Sequence, residues 1–131
     1  MTSQIRIADE EAISSIRPQY HFRPAPEGLL AWDVRRLVRL SRELPVQAVP
    51  LSQIAELDSV HWYGHGSVKP TVRSIIEHCQ LMLAADLAYP IILDSAGRVM
   101  DGMHRVSKAL MQGATQITAV QFERDPAPDD V

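Results

Sequence analysis

The sequence predicts an α+β domain, a mixed sheet with helices packed against it, preceded by an N-terminal extension that carries one helix. Three observations lead there. After residue 45 the apolar pattern reads strand, helix, strand, strand, helix, strand, and a mixed sheet covered by helices is the economical way to bury such faces. The run Pro90-Ile91-Ile92-Leu93-Asp94 is continuous, apolar and of strand length, and Ser95-Ala96-Gly97 turns it into Arg98-Val99-Met100 as a hairpin. A length of 131 residues, 46% of them hydrophobic and 22% charged, suits a single folded unit with one core.

Residues 1 to 45 form the extension. Ile5, Ile7, Ile13 and Ile16 with Pro18, Pro24 and Pro26 read as a short strand or helix followed by an irregular, proline-stiffened segment, an arm rather than core. Asp33 is a good N-cap, and Val34, Leu37, Val38 and Leu44 follow it at helical spacing, with Arg35, Arg39 and Arg42 along another face. Pro45 ends that helix. The folded domain then runs from 46 to 123. Val46 to Leu51 suits a short strand, and Ser52 to Leu57 a turn of helix. His61-Trp62-Tyr63-Gly64-His65-Gly66-Ser67 reads as a loop because of its two glycines. Pro70 suits a first helical position, and Val72, Ile75, Ile76, Cys79 and Leu83 recur as one buried face. Behind the hairpin, Met103, Val106, Ala109 and Leu110 give the core stripe of a short helix closed by Gly113, and Ile117 to Phe122 forms the last strand. The acidic, proline-rich stretch 124 to 131 is expected to be disordered.

Composition narrows the function classes. No apolar run reaches the length of a membrane span, so no membrane partner is expected. The first residues lack an apolar signal core and Cys79 is the single cysteine, which points to the cytoplasm. A net charge of -3 gives no global footprint for nucleic acid.

The most informative stretch is Gly97 to Ala109, where Asp101, Gly102, His104 and Arg105 occupy a strand-to-helix turn and the first helical turn behind it. Unpaired N–H groups and partial positive charge at a helix start make cations there mildly unfavourable unless an anion accompanies them. In the functional reading His104, Arg105 and Lys108 form a cationic cradle for phosphate, aided by the backbone of Gly102 to Arg105. In the structural reading Asp101 caps the helix, Arg105 and Lys108 are solvated, and His104 is an incidental surface residue.

The order of elements, with Val49-Pro50-Leu51-Ser52-Gln53-Ile54, Ser74-Ile75-Ile76-Glu77-His78, Pro90-Ile91-Ile92-Leu93 and above all Gly97-Arg98-Val99-Met100-Asp101-Gly102-Met103-His104-Arg105, resembles the ParB-like/sulfiredoxin-like superfamily over residues 46 to 122. The resemblance implies that fold, and nucleotide-phosphate binding at the turn matching Asp101 to Arg105, so that Asp101, Gly102, Met103, His104, Arg105 and Lys108 are the expected ligand contacts. Sulfiredoxins place a nucleophilic cysteine where this chain has Met103, and Met cannot perform that chemistry; Cys79, on an apolar helix face, reads as a core residue. Partitioning ParB proteins bind CTP with a Gly-Glu-Arg-Arg type sequence, from which Met103 and His104 depart, and carry DNA-binding and dimerisation regions not expected in the short stretch after Phe122. The Asp-Gly-X-His-Arg form is similar to the free serine kinase branch, which implies an acidic base after the first strand. Glu56 and Asp58 stand in the corresponding stretch, either as that base or as solvated loop acids, and Asp101 could contact a metal.

His61 and His65, four apart with Asp58 nearby, lack a helix to bring their rings together, so no metal site is expected, and Trp62 or Tyr63 is instead expected to stack on a base. The arginines at 35, 36, 39 and 42 read either as a contact for nucleic acid or a nucleotide or, preferably, as a solvated face with some pairing to Glu43. The resulting expectation is a domain binding a nucleoside phosphate (ATP, ADP or CTP) with Mg2+, acting as a small-molecule kinase on a hydroxyl substrate or as a slow hydrolase. The alternative is a non-catalytic, nucleotide-responsive module in which occupancy reorders residues 1 to 31 or a homodimer contact; a ParB-like nuclease stands third, disfavoured by the acidic pI.

Overall fold

The computed structural model describes residues 5–64 and 68–130. It is a mixed α+β fold in which a four-stranded sheet carries elements on both faces. In chain order the elements are α1 (Glu10–Ser15), β1 (Tyr20–Ala25), β2 (Gly28–Asp33), α2 (Val34–Ser41), β3 (Gln47–Pro50), α3 (Val72–Ala84), β4 (Ile91–Leu93), β5 (Val99–Asp101), α4 (Met103–Met111) and β6 (Gln116–Gln121), with 3-10 turns at Leu51–Gln53 and Ala55–Asp58. The sheet runs β3-β6-β4-β5. β3 pairs antiparallel with β6, β6 parallel with β4, and β4 antiparallel with β5. The expected succession after residue 45 is therefore present.

Both faces of this sheet are buried, which is why its central strands read as unbroken apolar runs. Ile91, Leu93, Val99, Ile117 and Ala119 face one side, where Met103, Val106 and Ala109 of α4 and the turn residues Leu51 and Ile54 close a core. Ile92, Met100, Val120 and Phe122 face the other, against Trp32 and Leu37. The intervening β5-to-α4 turn is fixed by Gly102 at φ +117°, where a Cβ would stand 2.5 Å from Ile91 Cγ2.

The extension is thus not an arm beside the domain. Its segment 20 to 33 forms a β-hairpin, β1 with β2, and Trp32, with Leu37 of α2, builds half of the core. Proline stiffening misled here because Pro24 lies on a two-stranded edge, where a missing N–H costs no ladder bond. Asp33 caps α2 as expected, its Oδ1 accepting from Arg35 N at 2.9 Å. The arginines of α2 pair with segments distant in sequence and not with Glu43: Arg39 and Arg42 reach Glu10, Arg36 reaches Asp129 and the Ala127 carbonyl, and Arg35 donates to the Ile16 carbonyl.

The C-terminal stretch departs furthest from expectation. Rather than being disordered, it straps the hairpin: Trp32 Nε1 donates to the Pro126 carbonyl at 2.8 Å, Ala31 exchanges backbone bonds with Asp129 and Asp130, and Asp125 accepts from Arg23 and Ser95 N. Polar composition signals disorder only when nothing supplies partners, and here Arg23, Arg36 and Trp32 do. Arg23 also donates to the fully buried Asp94 at 2.6 Å, and Arg98 Nε meets the same Oδ2 at 2.9 Å.

Helix α3 contradicts its apolar pattern. Thr71, not Pro70, sets its start, the Oγ1 accepting from Ser74 N. Val72, Ile75, Ile76, Cys79 and Leu83 are all exposed, as is Leu110 on α4. Helix α3 meets α4 through its polar side instead, by His78 on His104 and by Lys108 Nζ on the Leu83 and Ala85 carbonyls. Among the described residues no helix is long and apolar enough to cross a membrane.

Candidate functional site

The turn from Asp101 to Arg105 lines a half-open cavity of about 580 Å3, bounded by residues 6 to 19, by α2, by the end of α3 and by Tyr89 and Pro90. Helix α4 opens onto it without a side-chain cap, since its N-cap position is Gly102. Asp101 does not serve as the cap. Its Oδ2 accepts from Arg105 Nη2 at 2.7 Å, and both side chains are largely buried.

Arg105 is fully committed. Besides Asp101, it donates through Nη1 to the Tyr89 carbonyl at 2.9 Å and the Pro90 carbonyl at 2.7 Å, tying the helix start to the entrance of β4. Lys108 is committed as well, to the last carbonyls of α3 at 3.0 and 2.7 Å, the favourable position for a cation at a helix C-terminus. The cationic cradle of the functional reading therefore does not form: two of its three side chains already hold the fold together. Met103 contributes only backbone, its side chain being buried in the core.

His104, the third member, is neither a cation nor an incidental surface group. Its Nε2 stands 2.9 Å from His78 Nδ1, so one ring donates and the other accepts. Trp62 lies flat over both, 4.8 Å from the His104 ring and 4.3 Å from that of His78, at interplanar angles of 14° and 19°. Tyr63 sets its edge on His78 and bonds Ser74 Oγ through its hydroxyl at 3.0 Å. Burial first, then His78 and the Arg17 charge, lower His104 to about 4, and burial likewise lowers His78. At neutral pH both imidazoles are uncharged. Trp62 stacks on these two rings, and Tyr63 sets its edge on one of them. His61 sets an edge against Trp62; His65 lies outside the described residues. Among the described residues no three His, Cys, Asp or Glu side chains gather as metal ligands.

The acids named as base candidates do not share the cavity. Glu56 Oε2 accepts from Val99 N, which anchors the start of β5, while its Oε1 is buried without a partner. Asp58 is exposed at the end of a 3-10 turn. Of the three, Asp101 alone lines the cavity.

Sequence reasoning missed the most relevant cation. Arg17 lines the cavity and makes no ion pair among the described residues, whereas Arg6 is paired with Asp86, Arg42 with Glu10 and Arg105 with Asp101. Its only signal was a basic residue directly before Pro18. The His78–His104 pair was equally hidden, because its members are 26 residues apart. No protein-family model, curated protein or solved structure matches the chain.

Proposed function

We propose that this chain is a ligand-responsive domain that binds an organic phosphate, a nucleoside phosphate in first place, in the cavity before α4. The observation that carries the reading is the uncapped start of α4 opening, together with Arg17, which has no ion pair among the described residues, onto a space of about 580 Å3. That volume lies within the range of small-molecule sites, roughly 300–1,000 Å3. A helix start and one free guanidinium suffice to hold a phosphate. The apolar walls, among them Ile16, Val38 and Leu44, suit the body of the ligand. The resemblance of Asp101 to Arg105 to the phosphate turn of the ParB-like/sulfiredoxin-like superfamily supports a nucleotide.

Residues 6 to 19 form one wall, and this favours the responsive module over the enzyme. Ligand occupancy and docking of that wall are coupled, because the same side chains face both. Phosphoryl transfer or hydrolysis is the second reading, favoured by Asp101 and the neutral His104 beside the same space.

A thermal-shift and calorimetric panel of ATP, ADP, CTP and inorganic phosphate, with and without Mg2+, tests the proposal. At a hundredfold excess over Kd, one nucleotide is expected to add about 2.7 kcal/mol of stability. Arg17→Ala should abolish that shift and leave the ligand-free protein as stable as before. Arg105→Ala would be uninformative, since it also unties β4. Absence of any nucleotide effect overturns the proposal, and phosphate release or serine phosphorylation separates enzyme from module.

A further inference from the structure

The face of α3 carries a pattern that the described residues leave uncovered. Val72, Ile76, Cys79 and Leu83 are spaced four, three and four residues apart, the alternation of a helix–helix seam. A helix that evolved only to face water has no physical reason to hold that register. Val72 is 75% exposed, Leu83 70%, Ile76 51% and Ile75 46%. This amounts to on the order of 400 Å2 of contiguous apolar side chain, as much as the largest patch of a typical monomer, a size that marks interaction sites.

We propose that α3 is the contact through which two copies of this chain pair, antiparallel, about a two-fold axis beside Glu77 and His78. The occupant follows from self-complementarity. In that arrangement Val72 meets Leu83 of the second copy and Ile76 meets its Cys79, so each large side chain faces one that leaves room for it, and both ends of the seam are equivalent. The flanks agree. Arg73 and Glu77 are the only charged residues of α3, which leaves the helix neutral, and Arg73 comes opposite Gln80 of the other copy rather than another arginine. A shallow groove bounded by Val72, Ile76 and Gln80 on one side and Arg73 and Glu77 on the other flanks the seam. Opposed helix dipoles favour the antiparallel sense. Over two copies the apolar side chains amount to on the order of 800 Å2, to which the polar flank at Arg73 and Gln80 adds, against the roughly 1,000 Å2 in total that a specific interface clears. The side of α3 that carries His78 stays on α4 and Trp62, so pairing leaves that contact in place.

Light scattering after size exclusion of the full chain, over a concentration series, reads the proposal directly. The wild type should run at twice the mass of one chain. Ile76→Arg and, independently, Val72→Asp should raise the dissociation constant by at least about tenfold, with circular dichroism unchanged because both side chains are exposed. Cys79 is the sole cysteine and is exposed, so a short bismaleimide should join two wild-type copies and fail in Ile76→Arg. This crosslink needs no substitution, and its failure in the wild type overturns the proposal, as does a monomer at every concentration or a dimer unaffected by both variants.

Discussion

Gly102→Ala isolates the packing on which the candidate site depends. At φ +117° the backbone is in a region that a side chain occupies only under strain, at roughly 1–2 kcal/mol. The new Cβ would lie 2.5 Å from Ile91 Cγ2 and 2.9 Å from Ile91 Cβ. Ile91 cannot retreat: it is fully buried, paired with Ala119 across the parallel β4–β6 register, and pressed into the core under α4. Overpacking of that kind costs roughly a further 1–3 kcal/mol. The expected loss is about 2–5 kcal/mol in all, a large share of the roughly 5–15 kcal/mol available to a domain. Gly113→Ala supplies the control. It shares the left-handed conformation at φ +79° but its Cβ would meet nothing within 4 Å, so the strain alone should appear, roughly 1–2 kcal/mol. Urea denaturation followed by tryptophan fluorescence and circular dichroism measures both. If the two variants lose the same stability, the close approach of Gly102 to Ile91 is not what fixes this turn, and the reasoning fails.

Other consequences are as direct. Asp94→Ala removes a fully buried carboxylate that accepts from Arg23, Arg98 and two backbone N–H groups; Arg23 keeps Asp125, so the lost charge-assisted bonds should cost about 1.5–3 kcal/mol, read by denaturant midpoint, whereas a loss under about 1 kcal/mol would contradict the network. Deleting residues 124 to 131 should destabilise the domain by about 2–3 kcal/mol through the lost bonds to Trp32, Ala31 and Arg23; unchanged stability would mean that the strap contributes nothing. His104 and His21 are both held at about 4, mainly by burial. Because the unfolded chain takes up protons near pH 6.5 that the folded chain refuses, their contribution is complete above that pH and is lost as pH falls toward 4. With solvent screening of these half-exposed groups, roughly 1–2 kcal/mol each is expected. Unfolding free energies measured between pH 7 and 4.5 should fall less steeply in His104→Asn, and an identical slope would refute the assignment.

Where a pattern reports a local conformation, the sequence was legible. Asp33 caps α2, Gly97 and Gly113 adopt positive φ at the hairpin and behind α4, and the Ile91 to Leu93 run is a doubly covered strand. Such signals are carried by backbone preference within a few residues. The site was legible only as a location. Asp101 to Arg105 does sit at a helix start facing a cavity, but which cations are free there was not encoded nearby. Arg105 is taken by the carbonyls of Tyr89 and Pro90, and Lys108 by the end of α3. Arg17 arrives from the other end of the chain.

The sequence by itself determined the succession of elements after residue 45, the glycine-dependent turn and the apolar stripe of α3, since each follows from periodicity and local sterics. The tertiary structure alone decided that the hairpin at 20 to 33 completes the core, that the acidic C-terminal stretch is strapped to it, that His78 and His104 are hydrogen-bonded under Trp62, and that the α3 stripe faces outward. The physical reason is the same in each case. Burial, pairing and desolvation are set by which surfaces meet across long sequence separations, and a stripe of apolar residues states only that something must cover it, not whether that cover comes from the same chain.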